Sequence, residues 1–278
     1  MQRDFRLVED DGISGNLSRR ELVIIGAGGF GAIVASVVRD INASAIANAH
    51  LATWDIVGYA DASAAKRGTQ HEGYHVHGSI EETGHVFKGR ELWFFSAIGE
   101  NWARGKVAEA AEKLGWKAAT LIHPTAILSP RVEVGPGTYI GPLAVVSVNT
   151  KIGIHAIVDM HVSIGHDAVL KDFCAVYPGA RISGCCHIGE YALVGSNATL
   201  LPGTVVGDRA VIGASSLASS CVEADTTVLL SHVMLMGLPV CISTIKNESV
   251  HNEQSPHANS TRFANDGRDE RSVSRDLL

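Results

Sequence analysis

A histidine and an aspartate stand side by side in Ile164-Gly165-His166-Asp167. Imidazole titrates near neutral pH, so it can take a proton from an amine or hydroxyl that attacks an acyl group. A neighbouring carboxylate favours the imidazolium that forms. His166 follows a large aliphatic residue by two positions and a glycine by one, which predicts that it points outward at a turn. His166 is therefore the candidate general base, and Asp167 is its acidic partner.

A repeat of six residues surrounds this pair. From Ile122 to Ile212 every sixth residue is Ile, Leu or Val, and the residue four positions later is small or β-branched. This period is typical of a parallel β-helix, in which each hexapeptide supplies one strand and one corner. Glycine often follows the aliphatic residue, as at Gly135, Gly153 and Gly165, and we expect it to permit unusual corner dihedrals.

Three hexapeptides make one coil of 18 residues, so residues 18 apart should stack. Gly184 then falls one coil beyond His166, and Ser196 and Ala214 share a column with Pro178. Small residues in such columns leave a groove in which a pantetheine arm could lie against the backbone. The same residues also suit tight corners, and the repeat alone leaves both interpretations open.

An α/β pattern precedes the repeat. The apolar strand Leu22–Ile25 leads into Gly26-Ala27-Gly28-Gly29-Phe30-Gly31 and a helical pattern, an order in which glycines let a phosphate approach a helix N-terminus. A second strand, Ile56–Ala60, ends at Asp61, where an acidic residue often meets a ribose hydroxyl. Roughly 100 residues make one mononucleotide-binding half, which favours a nucleotide or nucleotide-sugar over a dinucleotide. A tight glycine turn without a ligand is the alternative.

Composition argues against several classes of function. The net charge is −6 and there is no basic block, so we expect no nucleic-acid partner. We find no apolar run long enough for a membrane span. An odd number of cysteines, five, without a secretion signal indicates reduced thiols and a cytoplasmic location.

The pattern divides the chain into four segments. We predict a flexible tail at 1–20, a nucleotide-binding α/β domain at 21–119, a β-helix at 120–245 and a disordered tail at 246–278.

The motifs, in this order, resemble the bacterial sugar acetyltransferases of the NeuD and PglD type. The likeness runs from Glu21 to Pro239. It rests on the glycine loop, Val57-Gly58-Tyr59-Ala60-Asp61, Ala97-Ile98-Gly99, Ile122-His123-Pro124-Thr125-Ala126 and Ile164-Gly165-His166-Asp167. The resemblance implies an N-terminal Rossmann-like half domain followed by a left-handed parallel β-helix. It also implies acetyl-CoA as the acetyl donor and a homotrimer with active sites between neighbouring β-helices.

The same resemblance assigns roles to residues. His166 and Asp167 match the catalytic base and its helper. The nucleotide-sugar would be held by Gly26, Ala27, Gly28, Asp61 and Ala62, and the acetyl-CoA groove would be lined by Gly184, Ser196 and Ala214. The implied reaction is N-acetylation of a nucleotide-linked amino sugar, with O-acetylation of a sialic-acid-type sugar as the alternative.

Two positions depart from the family pattern. Ala175 stands where a second histidine is common, and Asp159 stands where an asparagine is common. These departures leave a non-catalytic, trimeric nucleotide-binding scaffold as a further interpretation.

A metal enzyme on the same scaffold is another alternative. His161 and His166 are five residues apart, as are two zinc ligands in γ-class carbonic anhydrases. Neither His123 nor His155 has the spacing of the third ligand, so we predict no metal site.

Overall fold

The computed structural model describes residues 6–7, 19–48, 53–230 and 242–246. Within them, an α/β region is followed by a β-solenoid. In chain order, the elements before the solenoid are β1 (Arg6–Leu7), β2 (Arg20–Ile25), α1 (Gly29–Ala47), β3 (Trp54–Ala60), β4 (Gln70–His71), β5 (Tyr74–His75), α2 (Ile80–Val86), β6 (Trp93–Ser96), α3 (Asn101–Lys113) and β7 (Lys117–Ala118).

The α/β region is built on a parallel sheet with strand order β3-β2-β6-β7, and β4 and β5 form a separate hairpin. The strand β2 is buried on both faces from Leu22 to Ile25, as a central parallel strand requires. The sequence predicted β2, β3 and α1. Helix α2 was missed, although Ser79 and Glu82 form a capping box, a pattern visible in sequence.

Helix α1 is the one described helix whose length and hydropathy would suffice to cross a membrane. Those two properties are weak evidence, because helices that pack in a protein core share them. Here Val34, Ala35 and Val38 are buried in one apolar cluster with Ile24 and Phe95 of the sheet. The helix therefore has a packing role in this region.

The solenoid consists of two-residue strands. They are β8 (Leu121–Ile122), β9 (Ile127–Leu128), β10 (Glu133–Val134), β11 (Tyr139–Ile140), β12 (Val145–Val146), β13 (Lys151–Ile152), β14 (Ile157–Val158), β15 (Ser163–Ile164), β16 (Val169–Leu170), β17 (Ala175–Val176), β18 (Arg181–Ile182), β19 (His187–Ile188), β20 (Leu193–Val194), β21 (Thr199–Leu200), β22 (Val205–Val206), β23 (Val211–Ile212) and β24 (Leu217–Ala218). After them come β25 (Thr226–Leu230) and β26 (Ile242–Lys246), which pair antiparallel with each other.

These strands form three parallel walls. Wall 1 contains β8, β11, β14, β17, β20 and β23, wall 2 contains β9, β12, β15, β18, β21 and β24, and wall 3 contains β10, β13, β16, β19 and β22. Glu133 pairs with Lys151 and Val145 pairs with Ser163, so each step between coils is 18 residues, as the repeat predicted. We call the turn from wall 1 to wall 2 the first corner, that from wall 2 to wall 3 the second corner, and that from wall 3 to wall 1 the third corner.

The six-residue rhythm of aliphatic side chains fills the interior of the prism. Val146, Ile164, Ile182 and Leu200 are buried one above another along wall 2. Each coil thus covers the apolar face of its neighbour, which is the source of stability in a solenoid.

The corner glycines have a different role from the expected one. At the second corner the left-handed φ belongs to Asp167, at +56°, and not to Gly165. A Cβ on Gly165 would instead collide with the backbone of Gly184 in the next coil. The dihedral explanation was therefore wrong for Gly165, which is needed for close stacking of coils. The left-handed slot is filled by Arg131, Leu143, Asn149, His155, His161, Asp167, Phe173, Cys185, Tyr191, Asn197, Arg209 and Ser215, among others.

One buried arginine joins the α/β region to the solenoid. The Arg104 guanidinium on α3 donates to the carbonyl oxygens of His155 at 3.0 Å and Phe173 at 2.6 Å, both at the third corner. It also donates to the carbonyl oxygen of Ile98 at 3.2 Å. Burial lowers the pKa of Arg104 to about 10. These bonds hold the 97–99 turn in a defined place against the coils.

The ends of the chain are described only in part. Arg6–Leu7 pairs in parallel with β10, inside the segment expected to be a flexible tail. Apart from residues 6–7, 19–20 and 246, the two predicted tails lie outside the described residues.

Candidate active site

His166 and Asp167 lie at the second corner, directly after β15. His166 Nδ1 is 2.7 Å from Asp167 Oδ2, and the two side chains are 60% and 49% exposed. Because an ionised carboxylate can only accept, the shared proton belongs on Nδ1, which leaves the lone pair on Nε2. The geometry therefore gives His166 a proton-accepting nitrogen on a largely exposed side chain.

Asp167 is held by a column of side chains at the same corner. Asn149 Nδ2 donates to Asp167 Oδ1 at 2.8 Å, and Arg131 Nε donates to Asn149 Oδ1 at 2.7 Å. The hydrogen bond from Asn149, followed by that from His166, lowers the pKa of Asp167, and the charge of Arg131 adds to this. We call Arg131, Asn149 and Asp167 the anchor column. Its 18-residue spacing was visible in the sequence, but Asn149 and Arg131 were missed.

Gly184 lies against the ring of His166. A Cβ built on Gly184 would stand 2.6 Å from His166 Nε2 and 2.8 Å from Cε1. The structure thus brings Gly184 to the candidate base, as the 18-residue stacking predicted, and leaves no room for a side chain unless the ring moves aside.

Ser196 and Ala214 lie elsewhere on the prism, at the first corner. The carbonyl oxygen of Ser196 accepts from the amide of Ser215 at 2.8 Å, and a Cβ on Gly195 would stand 2.6 Å from the amide nitrogen of Ala214. These two residues therefore stack in successive coils. Within one chain they belong to a different corner from Gly184 and His166.

The glycine loop has one crowded end and one open end. Gly26 has a φ of +107°, and a Cβ on Gly31 would collide with the carbonyl oxygen of Gly26. Gly28 and Gly29 would meet nothing within 4 Å. The loop therefore packs tightly where α1 meets the sheet, and its open end faces free space at the helix N-terminus.

Asp61 supports this loop from the neighbouring strand. Its Oδ2 accepts from the amide of Ala27 and from Lys66 Nζ, each at 2.9 Å, and its Oδ1 accepts from the amide of Ser63 at 2.9 Å. Burial acts to raise the pKa of Asp61, but the three hydrogen bonds outweigh it and the pKa is lowered. The predicted nucleotide-sugar residues Ala27 and Asp61 are thus in contact, and Ala62 follows them at the surface.

Two family models match the chain. The PglD N-terminal domain matches residues 21–111, and the bacterial transferase hexapeptide (six repeats) matches residues 185–217. Perosamine N-acetyltransferase from Caulobacter crescentus, a histidine-to-asparagine mutant solved in complex with CoA and GDP-perosamine, is 25% identical with a TM-score of 0.66. The match covers 80% of this chain and 96% of that one.

The acetyltransferase domain of PglB from Neisseria gonorrhoeae, solved in complex with acetyl coenzyme A, is 29% identical with a TM-score of 0.65. That match covers 76% of this chain and 96% of the domain. The chain is thus similar to sugar N-acetyltransferases of the PglD type, both in its N-terminal domain and in its hexapeptide repeats. The fold expected from the resemblance, a Rossmann-like region followed by a left-handed β-helix, is confirmed.

The two departures from the PglD/NeuD pattern lie on the side of the α/β region. Ala175 is fully buried on wall 1, in the apolar cluster that also contains Tyr139 and Phe95. Asp159 begins the first corner, where burial raises the pKa of its carboxyl although Oδ1 accepts from the amide of Met160. Neither residue belongs to the His166 corner, so both substitutions leave the geometry of the base intact.

The two histidines of the alternative metal pair lie at different corners, His161 at the first and His166 at the second. Among the described side chains, the group able to share a metal ion contains His166, Asp167 and Cys185 and does not contain His161. The carbonyl oxygen of His161 accepts from Arg181 Nη1 at 2.5 Å. Within one chain, the five-residue spacing of His161 and His166 therefore does not bring the two side chains to one corner.

Proposed function

We propose that this protein transfers the acetyl group of acetyl-CoA to the amino group of a nucleotide-linked sugar, with His166 as the general base. The observation that carries this is the His166 ring at a solvent-exposed corner, with Nδ1 held by Asp167 and Nε2 available. Relatives of the same family were solved with CoA and GDP-perosamine or with acetyl coenzyme A.

The chemistry needs one proton to be moved. As the sugar amine attacks the thioester carbon, His166 Nε2 takes a proton from the nitrogen. The Nδ1 proton stays in its hydrogen bond, so Asp167 stabilises the imidazolium without becoming protonated. When the C–S bond breaks, the imidazolium returns a proton to the leaving thiolate, and CoA-SH and the amide are released.

The α/β region supplies the nucleotide-sugar side. Gly26, Ala27 and Gly28 precede the positive end of α1, which favours a diphosphate. Asp61 and Ala62 border this loop on the next strand. We infer that the 21–119 domain holds the nucleotide and that the 120–245 domain holds acetyl-CoA.

A homotrimer would complete the site. The acetyl-CoA residues Ser196 and Ala214 lie at the first corner, whereas Gly184 and His166 lie at the second. If wall 2 of three copies packed around a threefold axis, the second corner of one copy would approach the first corner of another. Wall 2 carries exposed apolar side chains suited to such an interface, namely Ile127 (61% exposed), Val145 (42%) and Leu217 (46%).

A cytoplasmic location is part of the same proposal. The cysteines within the described residues, Cys174, Cys185, Cys186 and Cys221, are all free. Free thiols, two of them exposed, are what a reducing compartment preserves.

The direct test is acetyl transfer with a panel of acceptors. The full chain is incubated with acetyl-CoA and UDP- or GDP-linked amino sugars, and free thiol release and product mass are followed. We expect release only with amino sugars and a product heavier by one acetyl group. A matched hydroxy-sugar panel detects O-acetylation instead. Nucleotide-sugar binding with no thiol release for any acceptor would contradict the enzyme interpretation and favour the non-catalytic nucleotide-binding scaffold.

A further inference from the structure

An exposed thiol lies beside the candidate base and has no part in the chemistry above. Cys185 is one coil beyond Asp167, and both residues occupy the left-handed slot of the second corner, with φ of +58° and +56°. Their Cα–Cβ bonds therefore leave the corner in similar directions. The amide of Cys185 also donates to the carbonyl oxygen of His166 at 2.8 Å, which fixes the two backbones together.

Three different ligand types meet at this corner. One nitrogen of His166, one carboxylate oxygen of Asp167 and Sγ of Cys185 all lie within 4.8 Å of one another. Around a tetrahedral Zn²⁺, with bonds of about 2.0–2.3 Å, ligand atoms stand roughly 3.3–3.8 Å apart. Small rotations of exposed side chains would close the difference. Three protein ligands and one open position would then surround the ion.

The surroundings of the second corner favour His166, Asp167 and Cys185 as the ligands. The anchor column holds Asp167 from the opposite side, through Asn149 at 2.8 Å, so its carboxylate is already in place. Gly184 lets the imidazole lie against the coil that carries Cys185. The adjacent Cys186 points inward and is fully buried, so it is unable to join.

We propose that His166, Asp167 and Cys185 form a binding site for a thiophilic divalent cation such as Zn²⁺, and that occupancy blocks the base reversibly. On binding, the thiol loses its proton to solvent and Sγ binds as thiolate. A metal on Nε2 would occupy the lone pair that accepts the substrate proton. A metal on Nδ1 would leave the ring proton on Nε2. In either arrangement His166 is no longer a base.

Binding is tested first by spectroscopy, independently of turnover. Co²⁺ is titrated into the full, reduced chain, and the near-ultraviolet absorption of thiolate-to-cobalt charge transfer is followed. We expect one Co²⁺ per chain at this site, and a loss of at least tenfold in affinity in Cys185→Ser. Cys221→Ser is the matched control, because Cys221 is also free and exposed, and it should bind as the wild type does.

The second arm measures inhibition and depends on the proposed function. Zn²⁺ should inhibit thiol release and a chelator should restore it, whereas Cys185→Ser should be active and at least tenfold less sensitive. Absence of the charge-transfer band at submillimolar Co²⁺, or equal binding by Cys185→Ser and wild type, would overturn the site. Equal inhibition of both proteins would overturn the blocking role. If no acceptor is ever acetylated, the spectroscopic result still decides the metal site.

Discussion

Two aspartates, one in each region, show how the α/β domain and the solenoid use the same carboxylate differently. Asp61 has a side chain only 14% exposed and binds backbone amides and Lys66, so it supports the glycine loop. Asp167 is 49% exposed and binds two side chains, Asn149 and His166. The α/β region thus shapes a loop, whereas the solenoid orients a proton acceptor.

Removing the base should give the largest effect on the solenoid side. We expect His166→Ala to lower kcat roughly 100-fold or more, the scale of general-base loss, and to leave acetyl-CoA affinity nearly unchanged. Steady-state thiol release and direct binding of CoA measure the two quantities. His187→Ala, which removes an exposed coil histidine on wall 3, should keep its activity. Normal turnover in His166→Ala would show that His166 is not the general base.

Displacing the imidazole of His166 without removing it should lower kcat less than His166→Ala does. In Gly184→Ala the new methyl would enter the space of the imidazole, 2.6 Å from Nε2. We expect kcat to fall about tenfold while Tm changes little, because the ring is exposed and is able to move aside. Thiol release and thermal unfolding, measured on the same sample, check this. Unchanged kcat would mean that the observed ring position is not the catalytic one.

On the α/β side, the expected effect is on stability and its pH dependence. Asp61→Asn should destabilise the protein by about 1.5–3 kcal/mol at pH 7, the range for hydrogen bonds to charged groups. The folded pKa of Asp61 is lowered, so its stabilisation is present above the unfolded value of about 3.9 and is lost as pH falls through the folded pKa.

Urea unfolding at several pH values tests this. The difference in free energy of unfolding between wild type and Asp61→Asn should stay constant from pH 7 to about pH 5 and shrink below about pH 4. A difference that grows on acidification would show that Asp61 acts in another way.

The smallest effect is expected from the anchor column. Asn149→Ala removes the hydrogen bond that contributes most to the lowered pKa of Asp167. The pKa of Asp167 should therefore rise toward its ordinary value. We expect a two- to fivefold loss of kcat with KM unchanged, because His166 still bonds to Asp167. The pH–rate profile separates this from a structural effect: only the acid side should be altered. A uniform loss at all pH values would contradict a positioning role for Asn149.

Much of the architecture was predictable because it depends on local patterns. The six-residue aliphatic rhythm is buried from Val134 to Ile212, and partly buried at Ile122 and Leu128 where the coil begins, since each strand must place one large side chain inside. The strand-glycine-helix order of residues 22–38 also predicted the loop correctly. His166 and Asp167 are neighbours in sequence, so their contact required no long-range information. Helix α2 was missed because only its capping box signals it.

By itself, the amino-acid sequence determined the period of the coil, the outward position of His166 and its pairing with Asp167, because each depends on residues a few positions apart. Only the tertiary structure decided that Gly165 serves coil stacking and that Asn149 and Arg131 support Asp167. Those contacts depend on how closely successive coils approach one another, and no local sequence pattern determines the backbone distances between coils.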